Sequence, residues 1–168
     1  QPPTLARPLV RIERHGDGGH IAELVLDRPE AMNAVSTAMA VAIAAATNAL
    51  ANDPDVRCVV LTSSHDTAFC VGADLKERNL MSDAELVAQR PQARAAYGGV
   101  LALPMPVIAA VDGFAFGGGM ELALSCDLLA AGDDPHPDLG QPRRRRNPTA
   151  GAPDRLVTSS AAHLHCGQ

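Results

Sequence analysis

The sequence is almost without aromatic side chains: no Trp, one Tyr and three Phe in 168 residues. A core built from it must rest on small aliphatic groups, many of them alanine. No apolar run is long enough to span a bilayer, and no secretory leader is visible at the start of the sequence. There is no positive excess either. The net charge is −5 and the pI is near 5.6, which argues against general nucleic-acid binding. The four cysteines, Cys58, Cys70, Cys126 and Cys166, form no C-x-x-C pair. Reduced thiols and a cytoplasmic location are the simplest expectation. What is present is 46% apolar, enough to exclude a disordered chain. The length allows one core and at most one domain.

The most informative stretch is Pro104 to Gly132, PMPVIAAVDGFAFGGGMELALSCDLLAAG. Val107-Ile-Ala-Ala-Val111 has the length of a buried strand, and Asp112-Gly113 breaks it. Gly117-Gly-Gly119 follows, then Met120 to Ser125 without a breaker, which reads as a helix. A helix N-terminus presents N–H groups that have no partner inside the helix. Glycines let a ligand approach the backbone there, which suits an anion or a developing oxyanion. Glu121, in the first helical turn, could face the same point. The glycines could instead serve only tight helix–strand packing. The pattern is not G-x-G-x-x-G and lacks G-K-[ST], so a nucleotide site is a poor fit.

In chain order, Gln1 to Pro8 contains three prolines and reads as a loose tail. Leu9 to Arg14 and Ile21 to Leu26 read as strands of a hairpin. Ser36 is an expected N-cap for a helix to about Ala51. That helix carries few charges and is expected to be well covered. Arg57 to Thr62 reads as a strand buried on both faces. Asp74 to Glu77 opens a short helix, and Ser82-Asp-Ala-Glu85 resembles a capping box inside a mostly helical stretch, Asn79 to Leu103. Asp127 to Ala131 reads as a further strand. The alternation of strand and helix gives an α/β fold.

Three segments resemble the crotonase family, the enoyl-CoA hydratase/isomerase superfamily. They are Leu26-Asp-Arg-Pro-Glu-Ala-Met-Asn-Ala-Val-Ser36, then Ala68-Phe-Cys-Val-Gly-Ala-Asp-Leu-Lys-Glu77. The third is Pro106 to Gly113 with Gly117-Gly-Gly-Met-Glu-Leu122 and Cys126-Asp127. They stand in the family's order and approximate spacing, and the resemblance runs from about Leu9 to Asp134. It implies a crotonase-like core of repeated ββα units over residues 9–134, with most of the family's C-terminal helical part lacking. It implies a CoA thioester as substrate in fatty-acid or acyl-CoA metabolism, with no further cofactor and no metal. Neither membrane nor nucleic acid is an expected partner.

By that resemblance the backbone N–H groups of Ala73 and Gly118 form an oxyanion hole for the thioester oxygen. Glu121 is the general base or water holder. The loop Ala73, Asp74, Leu75 and Lys76, with Gly117 and Gly118, binds substrate and CoA. Lys76 is placed to meet a phosphate, although a solvated lysine is its plainer reading. Tyr97 could line the acyl pocket or pack on the surface. The family's habit is a trimer or a pair of trimers.

Residues 135–168 depart from the pattern and are expected to be a divergent, poorly ordered tail. Leu139-Gly-Gln-Pro-Arg143 can be laid on the family's F-G-x-P-E, which puts Arg143 where a second glutamate would stand. Arg143 to Arg146 are expected in solvent, and His163, His165 and Cys166 read as an incidental grouping rather than a metal site. Hydration of a 2-enoyl-CoA is the leading expectation. A catalytically silent binder of CoA thioesters or partner subunits, or a family isomerase or hydrolase, stands as the alternative.

Overall fold

Two runs of alternating character, Val10–His15 (β1) and Ile21–Leu26 (β2), pair as an antiparallel hairpin with Val10 opposite Leu26. They sit in a computed structural model that describes residues 7–132 and 156–157. The expectations for Arg143 to Arg146 and for His163, His165 and Cys166 fall outside the described residues. Arg7, expected in a loose tail, donates from Nε to the Asp27 carboxylate at 3.0 Å.

Cys58–Ser63 (β3), Val107–Val111 (β5) and Leu128–Ala131 (β7) add to β2 in parallel, and Leu156–Val157 (β8) pairs antiparallel with β7. The main sheet therefore runs β1-β2-β3-β5-β7-β8. Asp127 fixes the last parallel step. Its carboxylate accepts the Val107 N–H at 2.8 Å, and its own N–H reaches the Val107 carbonyl at 2.9 Å.

Four helices complete the described chain: Thr37–Ala51 (α1), Leu75–Arg78 (α2), Asp83–Leu101 (α3) and Gly118–Leu124 (α4). Ser36 caps α1 through Met39 N–H, as expected, and Ser82 with Glu85 forms a full capping box on α3. Pro91 lies inside α3 without ending it; a proline there removes one backbone donor. None of these helices is long and apolar enough to cross a membrane.

Two expectations of coverage need correction. The α1 helix buries one stripe (Met39, Ala40, Ile43, Thr47, Leu50), while Val41 on the other side is 52% exposed. In β3 only Val59 and Leu61 are deeply buried, and their neighbours are half-covered. The two cases differ in cause. The open side of α1 is mostly alanine, which leaves little apolar area to hide, whereas β3 has no alanine and turns only its alternate residues, Val59 and Leu61, fully into the core.

The ββα repeat is visible twice. After β3 comes a short strand, Ala68–Cys70 (β4), followed by α2; after β5 comes Phe114–Ala115 (β6), followed by α4. The two short strands pair in parallel as a separate small sheet, Ala68 opposite Phe114 and Cys70 opposite Ala115. Because they run the same way, the loops leaving them emerge side by side. The core beneath is centred on Phe69, which is fully buried with Leu24, Leu26, Ile43, Leu61 and Leu122. Phe69 is the one aromatic among the fully buried side chains, so its truncation leaves a large cavity. We expect Phe69→Ala to lower the unfolding free energy by about 3–5 kcal/mol. Urea denaturation measures it, and a loss below about 1 kcal/mol would remove Phe69 from this role.

Candidate active site

The loop after β4 is shaped by the segment after β2. Met32 and Asn33 both adopt the left-handed conformation (φ 48° and 54°). Asn33 is fully buried. Its amide donates to Ser63 Oγ at 2.7 Å and to the Phe69 carbonyl at 3.0 Å, and its oxygen accepts the Arg28 N–H at 2.8 Å. The chain then passes Val35 alongside Ala73 as an isolated parallel bridge. Val35 N–H donates to the Gly72 carbonyl at 2.7 Å, and Asp74 N–H donates to the Val35 carbonyl at 3.1 Å. In a parallel bridge of this kind the residue between the two bonded groups turns its own N–H the other way. The Ala73 N–H is thus aimed away from Val35 and makes no hydrogen bond among the described residues.

The loop after β6 supplies a second such group. Gly118 opens α4, so its N–H has no partner inside the helix. The two loops touch through glycine. A Cβ on Gly72 (φ +89°) would lie 2.7 Å from the Phe116 carbonyl oxygen and 3.0 Å from Gly118 N; a Cβ on Gly118 would lie 2.2 Å from the Tyr97 hydroxyl. At Gly72 the obstacle is backbone and the φ is left-handed, so that position has no room for a side chain; at Gly118 the tyrosine hydroxyl would have to move.

A cavity of about 300 Å³ opens at this junction. It is lined by Ala73, Arg78, Leu86, Gln89, Arg90, Ala93, Arg94, Tyr97, Gly118 and Glu121. Of the residues singled out from sequence, it brings together Ala73, Gly118 and Glu121. The α4 helix starts two residues earlier than expected, at Gly118, which puts Glu121 in its first turn. Gly117 is the exposed N-cap (φ 48°), and Leu75 and Lys76 are exposed on α2; none of the three lines the cavity.

Asp74 is placed differently. Its carboxylate is buried, accepts the Lys76 and Glu77 N–H groups at 3.0 and 3.1 Å, and receives Arg28 Nη1 at 2.6 Å. It caps α2 and ties the loop to Arg28, so it shapes the site from behind. The hydrogen bond from Arg28 is the main cause that holds its carboxyl below the usual aspartate range; burial opposes it, and the two backbone N–H groups add to it.

Tyr97 is the residue whose place the sequence left open. It reaches the cavity from α3, and burial raises its phenol, with smaller contributions from Cys70 and Glu121 and an opposing one from Arg78. Cys70, beneath the glycine loop, is not a nucleophile: burial pushes its thiol up to about 11, and its Sγ donates to the Asn33 carbonyl at 3.0 Å. One trio among the described residues could group about a cation, Glu13, His15 and Glu23. It stands on the β1–β2 hairpin, among none of the cavity's residues.

Residues 16–157 match the family model described as enoyl-CoA hydratase/isomerase. Mouse enoyl-CoA hydratase domain-containing protein 2, mitochondrial, is 40% identical over 154 residues, 91% of this chain and 52% of that protein. Human methylglutaconyl-CoA hydratase, mitochondrial, is 37% identical over 136 residues, 81% of this chain and 40% of its own. Among solved structures, an enoyl-CoA hydratase from Mycobacterium smegmatis superposes with a TM-score of 0.71 at 39% identity, covering 77% of this chain and 49% of that one. The chain spans about half the length of the curated relatives it matches.

The Asp74 geometry sets a stability test. Asp74→Asn keeps a capping oxygen but loses the charge that Arg28 meets, at an expected cost of about 1–3 kcal/mol near pH 7. A carboxyl held low contributes stability above its unfolded pKa and loses it as pH falls through the folded one. The gap between wild type and Asp74→Asn should therefore shrink on acidification below the usual aspartate range. Urea titrations at pH 7 and in that acid range measure it; a gap independent of pH would refute the assignment.

Proposed function

The chain belongs to the enoyl-CoA hydratase/isomerase family, and we propose that it binds 2-enoyl-CoA thioesters and adds water across their double bond. The observation that carries this reading is the pairing of two outward N–H groups, Ala73 and Gly118, at one cavity with one carboxylate, Glu121. A thioester oxygen seated between the two N–H groups accepts both hydrogen bonds. This draws electron density from the β-carbon and then stabilises the enolate once that carbon is attacked. Both donors are peptide groups fixed by their loops, so no reorganisation accompanies the charge shift.

In this mechanism Glu121 holds the water and takes its proton as the new C–O bond forms at the β-carbon. The enolate then takes that same proton back from Glu121 at the α-carbon, which restores the thioester and returns Glu121 to its carboxylate. Glu121 is the only carboxylate among the residues lining the cavity, so a single group serves the water. Leu75 and Lys76, exposed beside the loop, are the surface offered to the CoA moiety, with the Lys76 ammonium for a phosphate. A second reading, CoA-thioester binding without turnover, is favoured by Arg143 at the position of a second family glutamate.

Hydration of crotonyl-CoA, followed as loss of enoyl-thioester absorbance, tests the proposal. Glu121→Gln should lower kcat by at least about 10²-fold. Gly72→Ala should lower kcat/KM by a comparable factor, because a Cβ there would drive the Ala73 and Gly118 loops apart. Binding of crotonyl-CoA with no turnover would favour the silent binder instead. Neither binding nor turnover would refute both readings.

A further inference from the structure

The arginines of this chain fall into two groups. Among the described residues Arg7, Arg11, Arg14 and Arg28 each pair with a carboxylate. Arg57, Arg78, Arg90 and Arg94 are in no described ion pair, and three of these four line the candidate cavity. Against three guanidinium groups the lining holds one carboxylate, Glu121. A pocket meant only for an aliphatic acyl chain would be lined by apolar side chains.

The positions on α3 give the excess charge a direction. Arg90, Arg94 and Tyr97 are spaced as neighbours along one face of the helix. Tyr97 sits at the oxyanion end, against Gly118. At about 1.5 Å of rise per residue, Arg94 lies about 4.5 Å and Arg90 about 10 Å further along the axis. An extended five-carbon acyl chain, built of C–C bonds of about 1.5 Å, places its far carbon about 5 Å from the thioester carbon. A second carboxylate at that carbon falls within reach of these arginine side chains, which are exposed and in no ion pair among the described residues. Arg78, at the end of α2, adds its charge from the opposite loop.

We propose that the acyl group this cavity selects carries a carboxylate of its own, a short dicarboxylic acyl-CoA, held by Arg90 and Arg94 with support from Arg78. The proposal rests on the acyl-CoA reading above and narrows it. Guanidinium groups bind carboxylates through paired, charge-assisted hydrogen bonds, which a methyl end cannot accept. A crotonyl or longer aliphatic chain is then still bound and hydrated at the same site, but held more weakly than its dicarboxylic counterpart.

Calorimetric titration of the 168-residue chain with glutaryl-CoA and with pentanoyl-CoA, equal in carbon number, tests this without turnover. Glutaryl-CoA should bind about ten- to hundredfold more tightly, and the advantage should shrink as salt rises. The double variant R90Q/R94Q should weaken glutaryl-CoA by about tenfold more than pentanoyl-CoA. Equal affinity of the wild-type chain for both thioesters overturns the proposal. So does equal weakening of both in the variant, which would assign the arginines to the phosphates of CoA. Binding of neither thioester overturns the acyl-CoA reading itself, and this inference with it.

Discussion

The site depends on one backbone bridge. Val35 is hydrogen-bonded to the peptide groups on both sides of Ala73, and this turns the Ala73 N–H away from Val35, at a residue that lines the cavity. Arg28 and Asn33, in the segment that leads to it, support that placement. Asn33 ties the segment to Ser63 and to Phe69 in the middle of β4. Arg28 spans the Ala34 carbonyl and the Asp74 carboxylate, so the two ends of the bridge are held by one guanidinium. Buried polar groups of this kind are stable only when every member is satisfied. The loop they support is correspondingly hard to deform, which is what a preorganised pair of donors requires.

That dependence explains why three distant segments carry the family likeness. The first, Leu26 to Ser36, contributes no residue to the cavity lining. It constrains the second, Ala68 to Glu77, and the second meets the third only because β4 and β6 run in parallel and end together. The Gly72–Gly118 contact closes the arrangement, since a Cβ on Gly72 would press on the Phe116 carbonyl and on Gly118 N.

The sequence made much of this legible. The strands β2 and β5, the Ser36 cap, the α3 capping box and the glycine–glutamate pattern are local signals, written within a few residues of where they act. What escaped depends on long-range packing. Whether Tyr97 faced the pocket could not be read from α3, because both the cavity face and the outer face mix polar and small residues. Asp74 reads as substrate-facing by its neighbours, but its carboxylate turns inward to Arg28, 46 positions earlier in the chain. The breadth of burial was overread in α1 and β3. In α1, alanine is apolar enough to suggest a core and small enough not to need one; in β3, a continuous apolar run still turns alternate residues to opposite faces.

Charge distribution follows the same logic. Where an arginine has a structural task, at Asp27 or Asp74, a carboxylate is built in to meet it. The guanidinium groups of Arg78, Arg90 and Arg94 gather about a cavity with no such built-in partner beyond Glu121. Three like charges so close repel one another, and an acidic chain with net charge −5 has carboxylates available to neutralise them. Exposed, and in no ion pair among the described residues, they stand at the cavity where Ala73, Gly118 and Glu121 meet. An anionic group arriving with the substrate accounts for it, since the charge is then balanced only in the complex, and discrimination between acyl chains comes from the donors left unpaired when the wrong one binds.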